Sequence, residues 1–243
     1  MIDYTAASKT YDNTRRSSDV VIERFHRRVR LNGDTAVLDF GCGTGNYLFE
    51  IHQRFGCRCH GVEPASGMRA VASAKSAELQ IVDGNHEAIP FPAGTFDFAY
   101  MTDVIHHVPD LASLFRELRR VLKTGGALCI VTESHSQIDG RFYNRYFPSL
   151  AENEKRRYPD IALILNRACD ASLASIDVEV LPRSTPSIVS ETFLRNVAEK
   201  NYSMFRLLPE QEYNAGLQAL TGDLGRSFEP AGGGETLLWF RKS

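Results

Sequence analysis

The chain lacks an apolar run long enough to span a bilayer, a basic surplus, and any paired cysteine motif, and each absence removes a class of protein. With 28 Lys and Arg against 30 Asp and Glu, the formal charge is −2, so there is no electrostatic footprint for a nucleic-acid partner. The polar start Met1-Ile2-Asp3-Tyr4 has neither the basic beginning nor the apolar centre of an export signal. The expectation is a soluble cytoplasmic protein without a membrane span. Its five cysteines (Cys42, Cys57, Cys59, Cys129 and Cys169) are odd in number and form no CxxC, which points away from a disulfide framework and from a zinc or other metal site. They read as small core hydrophobes.

What is present suits one α/β domain: 243 residues, 43% of them hydrophobic, suffice for a full core. Short apolar runs at Ala36–Phe40, Cys57–Val62, Leu79–Val82, Phe96–Met101 and Ala127–Thr132 predict strands. Helical patterns alternate with them at Asp19–Arg30, where Asp19 is the expected cap, and at Asn46–Arg54, Ser66–Lys75 and Leu111–Leu122. Such alternation predicts a parallel sheet wound by right-handed crossovers, with the ligand site at the carboxyl ends of the strands. Beyond Glu133 the rhythm breaks. Residues 135–175 read as a helical insertion on the acceptor side, followed by a strand at Ile176–Pro182 and helices at Ser190–Lys200 and Pro209–Leu220. A last strand over Glu235–Phe240, reached by a hairpin-like return, would be antiparallel. Residues 1–30 read as an N-terminal arm or lid.

The chemistry concentrates in Val37-Leu38-Asp39-Phe40-Gly41-Cys42-Gly43-Thr44-Gly45-Asn46. A strand ends in a loop stripped of side chains, so that a ligand can approach bare backbone. The glycines fall at every second residue, and the position where a dinucleotide fingerprint needs Gly or Ala holds Asn46. A nicotinamide-dependent oxidoreductase is therefore disfavoured. Asp39 at the mouth would repel phosphate and attract an amino-bearing ligand. A nucleoside without phosphates follows, with S-adenosylmethionine as the candidate. Glu63 ends the second strand, where a carboxylate can accept both hydroxyls of a ribose. Asn85 and His86 follow the third strand, and Phe96–Asp110 runs from the fourth strand toward the reactive centre.

These segments, in this order and spacing, resemble the class I S-adenosylmethionine-dependent methyltransferases, especially the small-molecule branch that includes ubiquinone and menaquinone biosynthesis enzymes. The resemblance covers residues 35–135 and implies a Rossmann-like, doubly wound, mostly parallel seven-stranded sheet with one antiparallel strand near the C-terminus. It implies that Asp39, Gly41, Gly43 and Gly45 hold the methionine end, that Glu63 binds the ribose, and that Met68 lies against the adenine. Asn85 stands where the family has Asp, and keeps a carbonyl oxygen able to accept from the adenine amino group. His86 would offer its backbone N–H, and Thr102 would lie near the methionine moiety. Tyr11, in an arm segment with Asp12, Arg15 and Arg16, could reach the methionine carboxylate.

The implied activity is methyl transfer to a small-molecule acceptor by in-line displacement, leaving S-adenosylhomocysteine. A non-catalytic S-adenosylmethionine-binding partner or sensor module shares every one of these motifs and stays open on sequence. His106, His107, His135 and Glu133 are the candidates for a base, if one is needed, and no catalytic residue is assigned. Phe142, Tyr143, Tyr146 and Phe147, interleaved with Arg141 and Arg145, suit either a planar or anionic acceptor or an ordinary helix packing on the sheet.

Overall fold

The computed structural model describes residues 16–183, 185–230 and 234–243. The first half of the expected arm, Tyr11 included, lies outside the described residues. The arm's helix α1 spans Asp19–Val29. Its N-cap is Ser18 rather than Asp19: the Ser18 hydroxyl accepts from Val21 N–H, and Asp19 sits in the first turn, where a carboxylate suits the helix dipole.

From there the chain alternates as expected: β1 (Ala36–Phe40), α2 (Asn46–Phe55), β2 (Arg58–Val62), α3 (Ser66–Lys75), β3 (Gln80–Val82), β4 (Phe96–Thr102), α4 (Leu111–Val121) and β5 (Leu122–Thr132). Asp110 caps α4 by accepting from Ala112 and Ser113 N–H at 2.9 and 3.2 Å. The expected turn before the fifth strand is absorbed into it. β5 starts at Leu122, opposite Phe96, and its pairing resumes at Ala127 opposite Phe98, so residues 123–126 form a bulge.

The sheet has seven strands in the order β3-β2-β1-β4-β5-β9-β6. β9 (Gly234–Lys242) runs antiparallel between β5 and β6 (Leu173–Pro182), and β1 to β5 are parallel. The antiparallel strand is thus present, but no hairpin delivers it. Between β6 and β9 lie α8 (Glu191–Ala198), α9 (Glu210–Gly222) and a two-stranded ribbon of β7 (Ser187–Ile188) and β8 (Ser227–Phe228).

Every residue of β1 is buried, as a strand covered on both faces requires. Residues alternate between two cores. On one face α1 and α2 pack Phe25, Leu48 and Ile51 against Phe98, Tyr100 and Trp239. On the other, Leu114, Phe115 and Leu118 of α4 pack against Met101, Ile130 and Phe240.

The expected insertion at 135–175 divides. α5 (His135–Asp139) and α6 (Leu150–Arg157) lead into a cap, whereas α7 (Ile161–Asp170) puts Ile164 and Ala168 into the sheet core and β6 already begins at Leu173. α7 is therefore a crossover helix of the sheet. Tyr146 and Phe147 join Val197, Phe205, Tyr213, Leu220 and Phe228 in a third apolar core that belongs to the cap alone. The aromatic run is therefore not a helix packed on the sheet: Phe142–Arg145 form a 3-10 turn, and the aromatics pack in the cap. Of the five cysteines, Cys169 is exposed and the others are buried.

Phe98 is fully buried, with Phe25 edge-on at 5.2 Å and Trp239 stacked at 6.1 Å. Phe98→Ala is expected to cost about 3–5 kcal/mol of stability in a urea titration, because transfer and cavity terms add.

Candidate functional site

The carboxyl ends of β1, β2, β3 and β4 open on two adjoining cavities that share Gly41, Gly43 and Asp103. The loop after β1 is pinned to β2. Gly41 and Cys42 N–H donate to Val62 C=O at 2.7 and 3.1 Å, which bends the chain back over the strand end. Gly41 has φ +74°, and a Cβ there would lie 2.6 Å from Val104 Cγ1. Only glycine permits that turn together with that approach. Gly43 and Gly45 also take positive φ, and Gly45 is the N-cap residue of α2.

The first cavity, about 180 Å³, is lined by Gly41, Gly43, Glu63, Met68, Asn85 and His86, with Val104, His107 and Val108 beside them. Glu63 is 8% exposed. Its Oε2 accepts from Gly43 N–H at 3.1 Å and its Oε1 from Ala65 N–H at 2.8 Å. The carboxylate thus bridges the glycine loop and the start of α3, with lone pairs left over for a ligand. Burial raises its pKa, opposed by those two hydrogen bonds and by Arg69. Asn85 lines the same cavity. Its Oδ1 accepts from Glu87 N–H at 2.8 Å and Ala88 N–H at 3.3 Å, closing a turn in its own loop.

The second cavity, about 240 Å³, is lined by Asp39, Thr44, Tyr47, Thr102, Asp103 and Glu235, with Arg16 and Ser18 from the arm. Asp39 is 2% exposed and its Oδ1 has no hydrogen-bond partner. The Tyr100 hydroxyl lowers its pKa without a hydrogen bond of normal geometry, and that oxygen is also unsatisfied. Burial, with a smaller push from Glu63, carries the Asp39 pKa up to about 8. Glu235 rises to about 7 through burial and the neighbouring carboxylates Asp103 and Glu133, with Arg183 opposing. Asp39, Asp103 and Glu235 thus wall this cavity together with Arg16. Asp103 itself has φ +55°, a left-handed conformation uncommon outside glycine.

Nine of the ten sequence-predicted residues fall within the described chain. Asp39, Gly41, Gly43 and Thr102 line the second cavity, and Glu63, Met68, Asn85 and His86 the first. Gly45 lines neither and starts α2 instead. Among the base candidates, His135 Nε2 lies 2.8 Å from Tyr158 C=O, Glu133 is ion-paired with Arg141, and His106 stacks on Tyr158 with ring centroids 4.1 Å apart. His107 alone of the four lines a cavity. Arg141 is buried between Glu133 and Glu154, so it is spent on ion pairs and does not present itself to an anionic acceptor. Sequence reasoning missed Tyr47 and Glu235, and it missed Asn201, Ser203 and Arg206 of the cap, which line the first cavity. An acid opening the last strand was a signal for Glu235; the cap residues carry no motif.

The raised Asp39 pKa fixes a stability effect. The unfolded carboxyl ionises near its ordinary value of about 4, while the folded one holds its proton up to about 8. Stability from this group is greatest below pH 4 and is lost progressively as pH rises to 8. Asp39→Asn, which keeps the shape without the titration, is expected to melt higher than the wild type, the gap widening from pH 4 to pH 8 and then levelling off.

Residues 38–130 match the methyltransferase domain family. Over 128 residues the chain is 31% identical to a demethylmenaquinone methyltransferase of Listeria monocytogenes, an alignment covering 49% of this chain and 54% of the relative. The chain thus spans about half the length of that curated relative. A crystal structure of a protein assigned to antibiotic biosynthesis methylation in Anabaena variabilis superposes with a TM-score of 0.76 at 20% identity, covering 93% of this chain and 98% of the other. Geranyl diphosphate C-methyltransferase of Streptomyces coelicolor, crystallised with S-adenosyl-L-homocysteine, gives a TM-score of 0.61 at 18% identity, over 92% of this chain and 79% of its own. Residues 38–130 thus match the methyltransferase domain family in sequence, and the sheet and cap share the fold of these two crystal structures.

Proposed function

We propose that the protein transfers a methyl group from S-adenosylmethionine to a small-molecule acceptor. The observation that carries this reading is the unsatisfied Asp39 Oδ1, buried at the end of β1 beside a glycine loop that no side chain obstructs. A buried carboxylate oxygen without a partner is costly, and an ammonium group of an amino-acid ligand satisfies it. The residues present therefore fit the donor, whose sulfonium supplies an already activated methyl carbon when bound.

The chain's own residues divide the remaining work. Asp39 and the backbone of Gly41 and Gly43 receive the methionine end, with Thr102 alongside. Glu63 accepts the two ribose hydroxyls. The Gly43 and Ala65 N–H groups, at 3.1 and 2.8 Å, fix its carboxylate plane beforehand, so little ordering is left for binding. Met68, 2% exposed, forms an apolar floor for the adenine. Asn85 and His86 meet the ring's edge. Because Asn85 Oδ1 serves its own turn, that residue offers its amide N–H₂ to a ring nitrogen where a carboxylate would have accepted from the amino group.

The acceptor enters beyond β4, on the side of Asp103, Glu133 and Glu235. Orientation against the methyl carbon and exclusion of water supply much of such a rate. Where the nucleophile carries a proton, His107 and Glu235 are the cavity-lining groups that can take it. A cytoplasmic setting and a partnership with small molecules rather than nucleic acid accord with the charge balance and with the bacterial relative. Among the described residues, no helix is long and apolar enough to cross a membrane.

Calorimetric titration with S-adenosylhomocysteine tests the assignment. The wild type binds saturably. Glu63→Ala removes two charge-assisted hydrogen bonds worth about 1.5 kcal/mol or more each, and so weakens binding by about a hundredfold. Unchanged affinity in that variant overturns the ribose site.

A further inference from the structure

The first cavity has a wall that the strand-end motifs do not account for. Asn201, Ser203 and Arg206 lie on it, facing the loops that carry Glu63, Met68, Asn85 and His86. They come from the short 3-10 helix Ser203–Leu207 and the residue two before it, inside the long excursion between β6 and β9.

That turn is held by the cap, not by the sheet. Phe205 is fully buried in the cap core, 4.9 Å from Phe147 between ring centroids, and Met204 packs beside it, while Arg206 is exposed. The chain reaches the turn through Lys200 at φ +51°, which closes the end of α8 in the manner of a left-handed helix stop. Lys200 N–H donates to Val197 C=O at 3.0 Å, and Asn201 N–H to Asn196 C=O at 2.9 Å. The Tyr213 hydroxyl, from α9, lies 2.9 and 3.0 Å from the carbonyls of Val197 and Ala198, tying the two cap helices together at the point where the turn departs. Arg206 Nε donates to Lys200 C=O at 2.8 Å. This hydrogen bond fixes the base of the guanidinium in a residue that lines the cavity.

We propose that the Asn201–Arg206 turn is the outer wall of the adenosine subsite, with Arg206 as its purine-recognising residue. The inference rests on the donor-binding reading given above and extends it to the cap. A planar guanidinium stacks on an aromatic ring and donates to ring nitrogens, which a lysine ammonium does not reproduce. Met68 offers the ring an apolar surface across the same cavity, so an adenine there lies between an apolar floor and a cationic, planar lid. Ser203 adds a hydroxyl at the rim. Binding and cap order are then linked: donor occupancy holds the turn, and a held turn raises donor affinity by the same factor.

The test is calorimetry with S-adenosylhomocysteine and, separately, with adenosine, on wild type, Arg206→Ala, Arg206→Lys and Glu63→Ala. Arg206→Ala is expected to weaken both ligands by the same factor, about five- to twentyfold, and Arg206→Lys to recover only a small part of it. Amide hydrogen exchange over residues 200–207 is expected to slow when wild type is saturated with S-adenosylhomocysteine. The proposal is overturned if Arg206→Ala binds both ligands within twofold of wild type, or if Arg206→Lys restores affinity fully. It is also overturned if exchange in the turn is the same with and without ligand. If Glu63→Ala loses binding while Arg206→Ala keeps it, only the cap inference falls. If wild type binds neither ligand, the donor reading itself falls and takes this one with it.

Discussion

A carboxylate at the end of β1, almost wholly removed from water and with one oxygen unpaired, sets the terms for the rest of this molecule. Asp39 is carried there by a strand whose every residue is buried, between β2 and β4. The chain cannot satisfy it locally, because the next residues are a glycine loop hooked onto Val62 C=O. Burial answers by raising its pKa to about 8, so that near neutrality the free protein holds a proton where the proposed donor would place its ammonium. The fold stores a cost at one point, as functional sites commonly do. Around it, Gly41 leaves room for close approach to Val104, and Glu63 is held flat by two backbone donors.

The strand order explains how these parts become neighbours. β1 stands between β2 and β4, so Glu63 at the end of β2 and the glycine loop after β1 open at the same edge. β9 enters antiparallel beside β5, and its first residues bring Glu235 to the far side of the same opening. In the proposed reading, donor groups thus run along β1, β2 and β3, and groups available to an acceptor run along β4, β5 and β9. The cap has its own apolar core and reaches the first cavity through Asn201, Ser203 and Arg206.

How much of this was legible in the sequence depends on how local the signal is. β1, with its glycine loop, and the Glu63 turn are written in consecutive residues, because a bare-backbone loop and a strand-end acid need nothing from elsewhere. The start of α4 at Pro109-Asp110 was readable for the same reason. The acceptor side was not. Arg141 looked available to an anion because Glu154, its second partner, comes from a different helix. α7 looked like part of an insertion because only its contacts with α4 and β6 reveal a sheet-packed crossover. Arg206 and Ser203 reach the cavity through a fold-level excursion and carry no motif. The two backbone donors to Asn85 Oδ1 were not legible either, since they come together only once the turn is built.

The central claim is that Asp39 gives up its proton to receive the donor's ammonium. Calorimetry of S-adenosylhomocysteine binding at pH 7, run in buffers of different ionisation enthalpy, counts that proton. Release of about one proton per ligand in the wild type, with none in Asp39→Asn, is the predicted result. Binding without proton release in the wild type, or undiminished release in Asp39→Asn, would contradict it.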